Sequence, residues 1–123
     1  MTNLVAVTLA LLIQIESEGR NDLRGDHGKA IGVYQMHRCM VDEINRLYHT
    51  HYTYSDRLDP WKAHEMAGKW LAWEAKRRHV TDPIKLAFYW NCPSTGHPRL
   101  SYRKRAAAAL RHLSSLLANA PAE

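Results

Sequence analysis

Glu16 is a carboxyl group set where carboxyl groups are costly. It ends the run Ala10-Leu11-Leu12-Ile13-Gln14-Ile15 and precedes Ser17-Glu18-Gly19. At helical spacing Val5, Leu9, Leu12 and Glu16 share one face, so the acid continues an apolar stripe. Such an acid must stay neutral or find a strong partner. Desolvation raises a carboxyl pKa. A raised pKa is what a general acid needs to protonate a poor leaving group such as a sugar oxygen. Glu18 is the competing carboxylate, but it shares a face with Gln14 and reads as the more solvated of the two. Asp26, within Gly25-Asp26-His27-Gly28, is a candidate second carboxylate that could hold a water. An Asx turn is its other reading. The histidines form no His-x-x-x-His pair on an expected helix, and His49-Thr50-His51 has no cysteine nearby. Neither a metal nor another cofactor is expected.

The elements that must position these groups read as mostly α. A cap at Thr2 or Asn3 opens a helix running to about Glu18. Residues 19–32 are rich in Gly, Asn and Asp and read as turns. A second helix is expected from about Met36 to Tyr48, with Met40, Val41, Ile44 and Leu47 inward, and residues 49–57 as a loop. Asp59-Pro60 and Asp82-Pro83 each join a capping side chain to a proline in the first turn. The first of these helices reaches Arg78 and packs through Ala63, Met66, Ala67, Trp70, Leu71 and Trp73. The second is short, with Ile84, Ala87, Phe88 and Asn91 on one face. Ser101 is the expected cap of a last helix with a stripe of Ala106, Leu110, Leu113 and Leu117. No strand, repeat or linker stands out, so residues 1–123 form a single domain of about five helices.

The 17 Lys and Arg exceed the 12 Asp and Glu, a formal charge of +5, which favours polyanionic partners: nucleic acid, anionic membrane or acidic wall polymer. Arg99, Arg103, Lys104 and Arg105 form the densest basic run. Residues 28–44 could pass for a helix-turn-helix, but the face that would read DNA lacks a basic cluster, so no nucleic acid partner is expected. The apolar N-terminus is too short to span a membrane. No Lys or Arg precedes it, and it flows into the Glu16 segment, so a folded helix is expected rather than a signal peptide. That implies a protein made in the cytoplasm; separately, a monomer is expected. Cys39 and Cys92 do not make a disulfide framework. Both lie in segments expected to line the cleft, so one bridge is feasible, with two free thiols favoured.

Three segments in order resemble the soluble lytic transglycosylase and goose-type lysozyme superfamily, in a compact phage or bacterial branch. Glu16-Ser17-Glu18-Gly19 is similar to its Glu-Ser-x-Gly. Gly32-Val33-Tyr34-Gln35 is similar to its Gly-x-x-Gln. Ala87-Phe88-Tyr89-Trp90-Asn91 is similar to its Ala-x-x-aromatic-Asn. Met40 to Arg46 and Asp56 to Pro60 look like the compact branch, and the resemblance spans about Leu11 to Arg105. Cys92-Pro93-Ser94-Thr95-Gly96 departs from the branch's Gly-Gly-Pro, and Glu18 and Arg20 replace its small and amide residues.

The resemblance implies a lysozyme-like domain with a substrate cleft and Glu16 as single acid/base. Glu16 would cleave the β-1,4 bond between MurNAc and GlcNAc in peptidoglycan. It would then deprotonate the MurNAc hydroxymethyl, closing an anhydro ring, or a water. Ser17, Tyr34, Gln35, Tyr89, Trp90, Asn91 and Tyr102 are the candidate substrate contacts. Packing, core hydrogen bonding or helix-end fixing is the other reading of each. The competing functions are chitinase-like cleavage of GlcNAc polymers and a non-catalytic wall-binding or virion module. Action on the wall as an endolysin or virion component follows from the first reading.

Overall fold

The computed structural model describes residues 2–119, and it is mostly helical. Helix α1 (Asn3–Glu16) starts where Thr2 Oγ1 accepts from the Val5 N–H at 3.2 Å. It stops two residues before the expected end, because Glu18 and Gly19 both take positive φ, 53° and 83°. Val5, Leu9, Leu11, Leu12 and Ile15 are all buried, so the helix is apolar on most of its circumference. The buried Thr8 hydroxyl donates back to the Leu4 carbonyl at 2.7 Å. Helix α1 packs against α3 (Pro60–Arg78), α4 (Pro83–Asn91) and α5 (Leu100–Ala118), and it is the centre of the domain.

The segment after α1 is more ordered than its turn residues suggest. Strands β1 (Arg24–Gly25) and β2 (Ala30–Ile31) pair antiparallel, with Arg24 opposite Ile31 and Gly25 opposite Ala30. A two-residue ladder is too short to show alternation in sequence, so no strand was expected there. Asp26, His27 and Gly28 turn the hairpin with φ of 50°, 56° and 83°. Ile31 then bridges Met36 and closes a tight loop over residues 32–35. That bridge keeps Met36 and His37 extended, so α2 runs Arg38–Tyr48 rather than from Met36.

Residues expected as loop include a 3₁₀ helix, Tyr54–Leu58. Its Thr53/Asp56 capping box has the Thr53 N–H donating to Asp56 Oδ2 at 2.9 Å. Both Asp-Pro starts form as expected, with Asp59 accepting from the Trp61 and Lys62 N–H groups and Asp82 from that of Ile84. Ser101 does not cap α5. The helix begins at Leu100, after Arg99, without a side-chain cap.

Two packing expectations are corrected. On α5 the inward residues are Tyr102, Ala106 and Ala109, with Leu113 half-buried, while Leu110 and Leu117 are exposed. The small alanines let α5 lie close to α1, which rotates the leucines outward. On α3, Trp73 is exposed and meets the Tyr48 ring edge-on, and Glu74 takes the inward place. Glu74 Oε2 accepts from Arg77 Nη2 at 2.8 Å and from Arg78 Nε at 2.6 Å, so the buried charge is paired. In the core, the Trp70 and Trp90 rings meet at 89° with centroids 5.3 Å apart. Among the described residues no helix is long and apolar enough to cross a membrane.

Gly32 has φ 82°, and a Cβ there would collide with the backbone carbonyl of Arg57. Gly28 has φ 83° but open space around it. Gly32→Ala should therefore combine a left-handed penalty of about 1–2 kcal/mol with overpacking of about 1–3 kcal/mol. Gly28→Ala should show only the first. Urea denaturation of both variants checks this, and equal losses would contradict the close approach.

Candidate active site

Glu16 is the last residue of α1, partly buried, in the wall of a cavity of about 480 Å3. Burial pushes its carboxyl up to about 7, and the Arg105 guanidinium pulls the other way without overcoming it. Its place at a helix C-terminus, with no basic residue in that last turn, further disfavours the anion. No hydrogen bond from the described residues stabilises either form. The group is thus a desolvated acid facing open space.

The cavity draws on distant segments. Gly25, Asp26, Gln35 and His37 come from the hairpin and the loop after it, Trp90 and Asn91 from the end of α4, and Arg105 from α5. Two buried hydrogen bonds hold these parts together. Ser17 Oγ donates to the Val33 carbonyl at 2.7 Å, and Trp90 Nε1 donates to the Tyr34 carbonyl at 3.1 Å. Ser17 Oγ also accepts from the Gly19 N–H at 3.1 Å, which shapes the exit from α1.

Glu16, Asp26, Gln35, Trp90 and Asn91 therefore line one space, while Ser17, Tyr34 and Tyr89 lie outside it. Tyr34 is buried, with its hydroxyl 2.9 Å from His64 Nδ1, and burial pushes that hydroxyl up to about 12. Tyr89 lies under the Arg78 guanidinium, 4.2 Å from the ring centroid. Tyr102 is buried and lines an adjoining cavity that shares Asn91 and Arg105 with the first. Burial, then the nearby Glu16, drives the Tyr102 hydroxyl upward. Glu18 is exposed and belongs to another adjoining cavity, with Gln14 and Arg105.

Gln35 is largely engaged by the protein. Its Oε1 accepts from the Gly25 N–H at 2.9 Å, and its Nε2 donates to the Leu23 and Gly32 carbonyls at 2.8 and 2.9 Å. The side chain stitches the hairpin shut and leaves one acceptor lone pair for a ligand. Asp26 sits 3.2 Å from His37 Nε2 with its side chain exposed. Asn91 ends α4 exposed on the cavity rim. The two cysteines are free and line different cavities, neither of them that of Glu16, so the expectation that both line one cleft is corrected.

Sequence reasoning missed Arg105 as a site residue and read it as part of a basic run. Its signal was its position, one residue before Ala106 and three after Tyr102, at the edge of the buried face of α5. Compared with protein-family models, curated proteins and solved structures, the chain gives no match.

The raised pKa has a cost in stability. The unfolded chain releases this proton near 4.5 and the folded one near 7. As pH rises between these values the unfolded state gains by release, so Glu16 destabilises the fold progressively and fully above 7. The shift corresponds to roughly 3 kcal/mol. Glu16→Gln should be as stable as wild type at about pH 4 and more stable by about that amount at about pH 8. Denaturant unfolding at both pH values measures it, and a constant difference would remove the pKa shift from the account.

Proposed function

We propose that the protein is a peptidoglycan-cleaving enzyme of the lytic transglycosylase or lysozyme kind, with Glu16 as its single general acid/base. The observation that carries this reading is the Glu16 carboxyl, held up to about 7 and open to a cavity of about 480 Å3. Near neutral pH such a group is protonated in a large share of molecules and can donate to the glycosidic oxygen between MurNAc and GlcNAc. The carboxylate left behind is then stabilised by Arg105. Trp90 offers an apolar wall beside it, and the exposed Asn91 amide a hydrogen-bonding group.

The second half-reaction needs a nucleophile. Two-carboxylate glycosidases use a water or a second acid. Asp26 borders the same cavity but is engaged with His37 at 3.2 Å. That engagement favours attack by the substrate's own hydroxymethyl, with Glu16 now taking its proton, and an anhydro product. The reading implies work at the bacterial wall, as a phage endolysin or virion-borne enzyme.

Glu16→Gln should abolish release of soluble fragments from purified walls, whereas Glu18→Gln should keep most of it. Retained lysis by the Glu16 variant would end the assignment. In the wild type, kcat/KM should fall as pH rises through about 7, because the acid step needs the proton. Arg105→Gln should move that alkaline limb upward, since the remaining influence on Glu16 is burial. Mass spectrometry separates the two outcomes, because anhydro and reducing ends differ by one water.

Asn91→Ala should lower the rate on the order of 10²-fold with the fold intact, if its amide supports charge developing on the sugar. Steady-state kinetics on walls, with a melting curve alongside, tests this. An unchanged rate would take Asn91 off the glycan.

A further inference from the structure

Another cavity, of about 540 Å3, shares His37 with the Glu16 space. Arg24, Lys29, Arg38 and Arg57 line it, with His27 and His37, and no carboxylate does. The first three cations are exposed, but Arg57 is only 5% exposed. A buried guanidinium normally has a carboxylate partner. Arg57 has none among the described residues, and backbone carbonyls serve it instead. Its Nε donates to Tyr54 at 2.8 Å, and its Nη1 donates to Met36 at 2.9 Å and Lys29 at 3.2 Å. Nη2 makes no hydrogen bond to the described residues and is not one of their buried, partnerless atoms, so its two N–H groups are open to solvent.

The like charges also oppose one another. Burial, then Arg38 and Arg24, pulls the Arg57 guanidinium down from its ordinary range. Arg38 and Arg57 both lie against the Tyr54 ring, at 4.9 and 5.8 Å from its centroid. The nearby acids are taken. Asp42 accepts from the Tyr54 hydroxyl at 2.8 Å, Asp56 pairs with Lys62 at 3.4 Å, and Asp26 with His37 at 3.2 Å. Stapling the hairpin and the loop after it explains the two Nη1 bonds, and the Nε bond to Tyr54 is local to the 3₁₀ segment. Neither explains why three further cations surround the same space.

We propose that this cavity is a binding site for a phosphate-class oxyanion. Planar guanidinium groups match phosphate oxygens in pairs, and Arg24, Arg38 and Arg57 border one space of about 540 Å3. A tetrahedral phosphate-class anion there would offset the mutual repulsion of these groups and give the solvent-open Nη2 donors a charged acceptor. The site stands apart from the reading of Glu16 and does not require it. The phosphate is either free in solution or carried along a wall polymer as phosphodiester.

The test is calorimetric titration of the full chain with inorganic phosphate at fixed ionic strength, with chloride and acetate as controls. Phosphate should bind with one-to-one stoichiometry and raise the melting temperature, and the controls should not. Arg24→Gln and Arg38→Gln should each weaken binding roughly tenfold. Glu16→Gln should leave binding unchanged. Arg57→Gln is avoided as the primary variant because it also removes the hairpin staple. Poly(glycerol phosphate) distinguishes the sources. Competition with phosphate at greater affinity per site assigns the polymer, and equal affinity assigns the free ion. Equal response to chloride, or affinity unchanged in both Arg variants, overturns the site. So does binding of duplex DNA that phosphate cannot displace.

Discussion

Two consecutive backbone carbonyls hold the candidate site together. Val33 accepts from Ser17 at the end of α1, and Tyr34 accepts from Trp90 near the end of α4. Both bonds are buried, so each is strengthened by its surroundings and costly to lose. They join three segments that are far apart in the chain: the exit of α1, the loop after the hairpin, and the last turn of α4. Gly32 makes this loop possible, since only a residue without Cβ tolerates both its φ and the nearby Arg57 carbonyl. Gln35 then locks the hairpin against the loop with three hydrogen bonds. Ser17, the residue after Glu16, is thereby fixed to the loop and does not line the cavity, while Glu16 does.

Against that frame, the Glu16 carboxyl is destabilising to the fold at neutral pH. It lies at a helix C-terminus, is largely withdrawn from water, and is served by one guanidinium rather than by hydrogen bonds. Glu74 shows the contrasting solution, a carboxylate buried more deeply but held by two arginines on its own helix. Arg78 goes on to donate to the Pro93 carbonyl at 2.6 Å and lies over Tyr89, so the buried pair also anchors the loop after α4. One acid is held by two ion pairs, and the other makes no hydrogen bond to the described residues. A carboxyl maintained in that state at a cost in stability is what the proposed acid/base chemistry requires.

Charge on the remaining surface is distributed with the same asymmetry. The net charge of +5 is not spread evenly: four cations gather around the hairpin and the 3₁₀ segment with no carboxylate lining their cavity. His37 borders both this cavity and that of Glu16, and its contact with Asp26 marks the boundary between them. Anionic ligands would thus meet a region next to the acid, not the acid itself.

The sequence alone determined that the chain is mostly α with five helices, and the apolar stripe that Glu16 continues, because these rest on local physics. The Asp-Pro starts formed as read, since a cap and a fixed φ act within one turn. The stripe of Val5, Leu9, Leu12 and Glu16 survived because helical periodicity decides which side chains share a face. Tertiary structure decided the rest. Whether Gln35 faces a ligand or its own hairpin depends on where the Gly25 N–H and the Leu23 and Gly32 carbonyls end up. Whether Leu110 or Ala109 turns inward on α5 depends on how closely α1 approaches. The burial of Arg57, and the meeting of the exposed Arg105 with the Glu16 cavity, were not legible because a sequence carries no record of which distant segments come together. Desolvation and the meeting of remote groups are properties of the packed chain, and they turn Glu16 from an acidic residue into an acid with a pKa near 7.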